Sequence, residues 1–250
     1  MQPTLSKMDK FRNLLFASVF FGAPLVVVGP LLQRRIAQEK RELSQELLKA
    51  SSFAAHKHRS QTRKSREKAP YIEHPLRVAE LVATLGGQGD NIQLLQAALL
   101  HDTVEDTETT YEELEKMFGI KVRKLVEEVS DDKSLPKDVR KRLQIENAPK
   151  KSPEAKILSM ADKVANLEDL LTRPNGDGVP VGWSVDRIQK YCAWALSVSE
   201  GLKGPSDALD KRLRQLVSGE FIHADGKKYP ALPSGGGNQS PTAAAANPQA

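Results

Sequence analysis

A histidine and three carboxylates directly follow an apolar run, and this pattern is suited to binding a divalent cation. The segment reads His101-Asp102-Thr-Val-Glu105-Asp106, and the seven residues Leu94–Leu100 before it are mainly apolar. Imidazole and carboxylate together suit manganese, iron or zinc. If helical geometry continues, the two later carboxylates lie one turn beyond the His-Asp pair. A solvated acidic helix end is the alternative, but it fits poorly with a histidine in this apolar context.

Two distant segments could complete such a site. His74 precedes Pro75 at the expected start of a helix, where a histidine taken alone is more often structural than a ligand. Asp162 and Asn166 are four residues apart in an otherwise apolar helical stretch. An unpaired carboxylate is costly to bury, so we expect Asp162 to face a cation.

Basic residues between Lys57 and Lys68 indicate an anionic partner but do not define it. The chain has 250 residues, a formal net charge of +5 and 28% charged residues, which is typical of a soluble domain. The basic run contains no aromatic side chain, and aromatic residues are 5% of the chain, so nucleic-acid binding is disfavoured. The single cysteine, Cys192, cannot form an internal disulfide and is expected to be a buried thiol.

The elements that must position these residues are mostly predicted to be helices. Apolar residues recur near every 3.6 positions, and Thr110 with Glu113 resembles a capping box that opens a short helix. Ser184 is a further candidate cap. Helices are also expected to begin after prolines, at Pro136, Pro153 and Pro205. The fold class is therefore all-α, although Asp225-Gly226 could turn a short terminal hairpin.

The two ends of the chain differ from this helical core. Residues 14–32 carry no charge and are nearly long enough to cross a membrane, so 1–36 is interpreted as an apolar anchor, with a targeting segment as the alternative. Basic residues after this segment, among them Arg34 and Arg35, predict that the following domain lies in the cytosol, with a cytoplasmic or organellar location as the alternatives. Residues 37–220 form the helical domain. Residues 221–250 are interpreted as a low-complexity, largely disordered tail.

The combined motifs resemble the HD superfamily of metal-dependent phosphohydrolases. A lone histidine, a His-Asp pair and a distant aspartate have that arrangement, and together with Arg63-Lys64 they resemble the hydrolase domain of RelA/SpoT proteins. The similarity is greatest to the small stand-alone form found in metazoans and covers about residues 47–202. It implies an HD-domain helical bundle that hydrolyses the nucleotide substrate of this family and lacks the synthetase activity of the long RelA/SpoT enzymes.

The resemblance also implies a role for each motif. In that family a metal-activated water removes the 3′-pyrophosphate of ppGpp or pppGpp, releasing GDP or GTP. The implied Mn²⁺ ligands are His74, His101, Asp102 and Asp162. The implied catalytic residues are Glu105 and Asp106. The implied substrate-binding residues are Arg63, Lys64, Lys137, Asn166, Arg187 and Tyr191.

Two other functions are alternatives to this hydrolysis. The same site could remove phosphate from NADPH, an activity that the resemblance also implies. A membrane-tethered module could instead sense an anionic nucleotide without turnover. Glu168 and the loop 175–181 depart from the family's pattern and are expected to lie near the pocket, where they would influence substrate preference.

Overall fold

The computed structural model describes residues 25–233, and the chain divides into two compact units, 1–46 and 47–250. Helix α1 comprises Leu25–Lys57. In the first unit its described side chains are mostly exposed, and the Gln38 amide donates to Glu42 at 3.0 Å. The predicted membrane anchor falls mainly on residues 14–24, which lie outside the described residues. Among residues 25–233, no helix is long and apolar enough to span a membrane.

The second unit is mostly helical. Two short 3₁₀ turns, Ala148–Lys150 and Pro174–Gly176, flank the longest of its helices. The α-helices that follow α1 are α2 (Glu73–Ala83), α3 (Ile92–Leu100), α4 (Thr103–Asp106), α5 (Tyr111–Phe118), α6 (Ile120–Val129), α7 (Lys137–Asn147), α8 (Pro153–Thr172), α9 (Val185–Leu202) and α10 (Asp207–Val217).

Helix α8 lies at the centre of the core because it is apolar on most of its circumference. Leu158, Ala161, Val164 and Leu167 are fully buried, and the helix contacts α2, α3, α6, α9 and α10. Each fully buried leucine or valine contributes about 1.5–3 kcal/mol relative to an exposed one. The polar residues of α8 that face the site are therefore held by a well-packed helix.

The helix starts and stops follow the local sequence signals. The Thr110 side chain accepts from the Glu113 amide at 3.2 Å, and Ser184 accepts from the Arg187 amide at the same distance. Pro153 is the first residue of α8, and Ser152 caps it. Gly119 ends α5 with φ of 87°, a conformation that favours glycine. The helix starts at Thr110, Ser184 and Pro153 were predicted from the sequence.

The helix expected to continue through the His-Asp pair is interrupted there. Helix α3 ends at Leu100, and α4 is a separate short helix that begins at Thr103. The His101 ring donates to the Ala98 carbonyl at 2.8 Å, and the Thr103 hydroxyl donates to the Leu100 carbonyl at 2.6 Å. These side chains occupy carbonyl groups at the end of α3, so the polar residues follow a terminated helix.

A β-hairpin follows α10 and corrects two predictions. Strand β1 (Glu220–Ile222) pairs antiparallel with β2 (Lys228–Pro230). Phe221 is 2% exposed and Ala231 is fully buried, so this segment belongs to the core. The all-α class is therefore too narrow, and placing the start of a disordered tail at residue 221 was wrong, because burial of Phe221 orders the hairpin. Residues 234–250 lie outside the described part of the chain.

Candidate metal centre and substrate cavities

Three segments that are distant in the sequence place two imidazoles and a carboxylate together. His74 lies in the first turn of α2, His101 directly follows α3, and Asp162 lies in the middle of α8. One potential ligand atom from each residue falls within 4.8 Å of the others. The His74 Nε2 is 3.1 Å from Asp162 Oδ1, and the His101 Nε2 is 3.8 Å from the same oxygen.

The fourth predicted ligand, Asp102, lies at the same point. Its Oδ2 is 3.2 Å from the Nε2 of His101 and 3.6 Å from that of His74. The structure therefore brings together all four residues that the resemblance implied as ligands. We call them the metal cluster: His74, His101, Asp102 and Asp162.

The His101 ring shows that a cation fits this cluster. Its Nδ1–H donates to the Ala98 carbonyl, so Nε2 is the ring nitrogen that faces the carboxylates and would bind an ion after losing its proton. That Nε2 is buried and has no hydrogen-bond partner among the described residues. A buried nitrogen without a partner is costly, and a divalent cation shared with Asp102 and Asp162 would satisfy it.

The electrostatics of the cluster favour ionised carboxylates. Burial acts to raise the pKa of Asp102, but the positive charges of His101 and His74 hold it well below its usual value. Asp162 has a depressed pKa for similar reasons, because Lys163 and His74 outweigh its burial. Burial lowers the pKa of His74. Burial also acts to lower the pKa of His101, but the adjacent carboxylates raise it to about 9.

The two predicted catalytic residues line different cavities, and the four residues of the metal cluster line the same cavity as Glu105. Glu105 lines a cavity of about 470 Å³ that we call the Glu105 cavity. Asp106 lines a neighbouring cavity of about 520 Å³, the Asp106 cavity. The Asp131 amide donates to Glu105 at 2.7 Å, and burial raises the pKa of this carboxyl group.

A lysine offsets much of the acidic charge beyond the cluster. The Lys133 ammonium is 2.8 Å from Asp106 Oδ1 and 3.5 Å from Glu105 Oε2. Lys133 therefore supplies a positive charge to both predicted catalytic carboxylates.

Four of the six predicted substrate-binding residues line the Asp106 cavity. They are Arg63, Lys64, Asn166 and Tyr191. Lys137 and Arg187 lie outside the linings of both cavities. Burial, with the charges of Arg187 and Lys64, lowers the pKa of Lys137. The Arg187 guanidinium lies 4.4 Å from the ring centre of Trp183, which does line the cavity.

A hydrogen-bonded chain connects the metal cluster to the cavity wall. The Asn166 amide donates to Asp162 Oδ1 at 2.7 Å, and its oxygen accepts from Arg63 at 2.9 Å. Arg63 also donates to Asp169 at 3.1 Å. The guanidinium is therefore held in place by two residues of α8 before any substrate binds.

The two departures from the family pattern differ in their position. Gly178 and Pro180 of the 175–181 loop line the Asp106 cavity. Glu168 instead lines a separate cavity of about 430 Å³. There it accepts from Arg77 at 2.7 Å and from Arg212 at 2.8 Å. Arg63 and His74 line the same cavity, and an influence of Glu168 on substrate preference stays a prediction.

Sequence reasoning gave no role to several residues that the structure places at the site. The Tyr71 hydroxyl donates to Asp102 at 2.6 Å and lies 3.3 Å from Asp106. Tyr71 belongs to the same motif as His74, so its position in that motif was an available signal. Lys133 had no comparable signal, because its partner Asp106 is 27 residues away, whereas Lys163 directly follows its partner Asp162 in the sequence.

A family model described as "HD domain" matches residues 50–179, slightly more than half of the chain. The chain therefore belongs to the HD-domain family. The resemblance to the hydrolases of the RelA/SpoT group, predicted from the motifs, is confirmed by the relatives described next.

The named relatives are small enzymes that the chain covers almost completely. The mouse and human proteins named guanosine-3′,5′-bis(diphosphate) 3′-pyrophosphohydrolase MESH1 are each 53% identical over 171 residues, which is 68% of this chain and 92% of theirs. A solved structure titled as a metazoan orthologue of SpoT that hydrolyses ppGpp is 42% identical. It aligns with a TM-score of 0.64 over 68% of this chain and 93% of that one.

Proposed function

We propose that this protein is a manganese-dependent hydrolase that removes pyrophosphate from the 3′ position of ppGpp and pppGpp, leaving GDP or GTP. The observation that carries the proposal is the convergence of two imidazoles and two carboxylates beside an acidic pair that faces two cavities. The relatives named for this reaction are more than half identical to the chain over nearly their whole length, which supports the same substrate.

The metal cluster would hold the cation. Mixed imidazole and carboxylate ligands suit Mn²⁺, although iron and zinc accept them too. When bound, the cation supplies Lewis-acid stabilisation of the negative charge that develops on the phosphoryl group. The Ala98 carbonyl fixes the tautomer of His101, and Asn166 fixes one oxygen of Asp162, so both residues are oriented before the ion arrives.

Glu105 and Asp106 would handle the proton of the attacking water. Water adds to the phosphorus that is bonded to the 3′ oxygen, and its proton passes to a carboxylate. The bond to the 3′ oxygen breaks, and this oxygen takes up a proton from the carboxyl pair to leave as the hydroxyl group. Lys133 and the Asp131 amide hold the two carboxylates in place. A positioned acid or base of this kind contributes about 10²- to 10⁴-fold to the rate.

The Asp106 cavity would bind the rest of the nucleotide. Arg63 and Lys64 supply positive charge for phosphate oxygens, and a guanidinium can bind them in a bidentate manner. Trp183 and Tyr191 place aromatic surface on the same wall, which suits a purine ring.

The direct test is turnover of ppGpp by the native chain loaded with Mn²⁺. We expect equimolar GDP and pyrophosphate, whereas release of orthophosphate from NADPH would identify the phosphatase reaction instead. The variants E105Q and D106N should bind Mn²⁺ normally and lose about 10²-fold or more of turnover. E112Q, which changes an exposed carboxylate on α5, is the matched control. Native protein that binds Mn²⁺ but leaves ppGpp intact would refute the proposal.

A further inference from the structure

Lys163 places a buried ammonium group directly beside the metal cluster. Its side chain is 10% exposed, and its Nζ lies 2.8 Å from Asp162 Oδ2. On another side the ammonium lies 5.1 Å from the ring centre of Trp194. Burying a charge is expensive unless it is paired, and this charge lies next to a site that must accept a second positive charge. Such a costly arrangement needs a physical reason.

The two oxygens of Asp162 have different partners. Oδ1 faces His74 at 3.1 Å and also accepts from the Asn166 amide. Oδ2 is turned to Lys163. An aspartate can bind a cation through one oxygen or both. Because the ammonium occupies Oδ2, only Oδ1 is directed at the point where the metal cluster converges.

We propose that Lys163 is a positioning residue that acts through Asp162, holding this carboxylate to a single metal-binding oxygen and weakening its attraction for the ion. The inference rests on the proposed metal-dependent function and deepens it. A neighbouring positive charge reduces the negative potential that Asp162 presents to the ion. Asp162 consequently neutralises less of the charge of the ion, which can then stabilise the negative charge on the phosphoryl group more strongly. The metal is bound more weakly, and the reaction is faster.

A purely structural role makes the opposite prediction for metal binding. If Lys163 only stabilised the fold around Asp162, its loss would loosen the carboxylate and weaken the site. If it acts as proposed, removal of its charge strengthens the attraction between Asp162 and the ion. The sign of the change in metal affinity therefore separates the two roles.

The experiment titrates Mn²⁺ into the metal-free full-length protein by calorimetry and measures ppGpp turnover at saturating Mn²⁺. K163Q removes the charge and keeps a hydrogen-bond donor, and K163R keeps the charge. K151Q is the matched control, since Lys151 lines the Glu105 cavity, as Lys163 does, but donates to the Glu128 backbone carbonyl. We expect K163Q to bind Mn²⁺ about tenfold more tightly and to lose about tenfold in kcat. K163R and K151Q should retain native affinity.

The outcomes are distinguishable from failure of the proposed function. A native protein that binds no Mn²⁺ refutes the metal-dependent function itself. A folded K163Q that binds Mn²⁺ with native or weaker affinity overturns the role of Lys163 alone. K163M provides the same comparison if K163Q does not fold. Loss of folding in both, with K163R folded, would assign the ammonium to stability and also overturn the proposal.

Discussion

At the scale of single residues, Tyr71 connects the metal cluster to the predicted catalytic pair. Its hydroxyl donates to Asp102 Oδ2 at 2.6 Å and lies 3.3 Å from Asp106. Burial, together with the charge of Asp102, raises the pKa of Tyr71 well above its usual value. The phenol therefore stays protonated at neutral pH and can only donate to these carboxylates.

Removing this hydroxyl should affect turnover more than metal binding. In Y71F the four ligands remain, but Asp102 and Asp106 lose a shared donor, so we expect kcat to fall about tenfold. Calorimetry with Mn²⁺ should give an affinity close to that of the native protein. Y111F, on α5, serves as the control and should retain native turnover. A Y71F protein with unchanged kcat would show that the contact has no role in catalysis.

Cys192 gives a prediction about reactivity. The residue is fully buried in α9, and burial raises the pKa of its thiol to about 12. Because the thiol is the protonated form and the shift is upward, almost no thiolate exists at about pH 8. A disulfide reagent should leave the folded protein unlabelled and should label one thiol per chain in concentrated guanidinium chloride. Rapid labelling of the folded protein would contradict the buried assignment.

The residue types of the site could be predicted from the sequence, but its supporting contacts could not. His101 and Asp102 were recognisable because polar residues directly followed an apolar run. Lys133 contacts Asp106 across 27 residues, and Tyr71 contacts Asp102 across 31. Sequence gives the type of each side chain, whereas these contacts depend on how loops and helices meet.

At the scale of elements, helix α8 has two polar faces with different tasks. Asp162, Asn166 and Asp169 are spaced by four and three residues and face the metal cluster and Arg63. Glu168 projects elsewhere and joins Arg77 of α2 to Arg212 of α10. Its side chain is 11% exposed, while the two arginines are 41% and 37% exposed.

Loss of the Glu168 charge should destabilise the fold without removing the site. We expect E168Q to lower the free energy of unfolding by about 1–3 kcal/mol, because a partly buried carboxylate loses two charged partners. E80Q is the control, since Glu80 pairs with the same Arg77 but is 60% exposed. It should change stability by no more than about 0.5 kcal/mol. Urea denaturation measures the stability of both variants. Equal midpoints for the two would refute a stabilising role of the Glu168 ion pairs with Arg77 and Arg212.

Element boundaries were predictable where a local signal defines them. Thr110, Ser184 and Pro153 begin helices as their types predict. The break between α3 and α4 was not predicted, since it depends on side chains that bond carbonyl groups at the end of α3. The hairpin was foreseen as a turn, but its place in the core depends on burial of Phe221 by tertiary contacts.

At the scale of the whole molecule, the metal cluster joins segments that are far apart in the chain. Its members come from α2, from the end of α3 and from α8, and these helices pack against one another. An ion that binds only the folded protein stabilises it by about 2.7 kcal/mol at a hundredfold excess over its dissociation constant. Metal binding should therefore stabilise the fold as well as the site.

Thermal unfolding tests this linkage. We expect saturating Mn²⁺ to raise the Tm by about 5–10 °C over the protein treated with a chelator. D162N should abolish most of this increase because it removes a ligand charge. D186N alters an exposed carboxylate on α9 and should respond to Mn²⁺ as the native protein does. An equal increase in D162N would place the bound ion somewhere other than the metal cluster.

The cavities were less predictable from the sequence than the fold class or the type of partner. Net charge indicated an anionic partner, and helical periodicity indicated a mainly helical bundle. The cavities could not be predicted, because their walls come from helices and from the loop that carries Gly178 and Pro180. A Cβ on Gly178 would lie 1.7 Å from the Asp169 carbonyl oxygen, so only glycine allows the loop to close so tightly on α8.

The hairpin has a practical consequence for anyone who expresses a shortened form of this chain. The His223 ring donates to the Trp183 carbonyl at 2.9 Å, and the backbone of residues 222–223 packs against Gly176. Trp183 and Tyr191 both lie beyond residue 179, where the family match stops. A plasmid designed on that match would encode a protein without one side of the Asp106 cavity, where we propose that the nucleotide binds. A purification tag is better placed after residue 233 than before the hairpin.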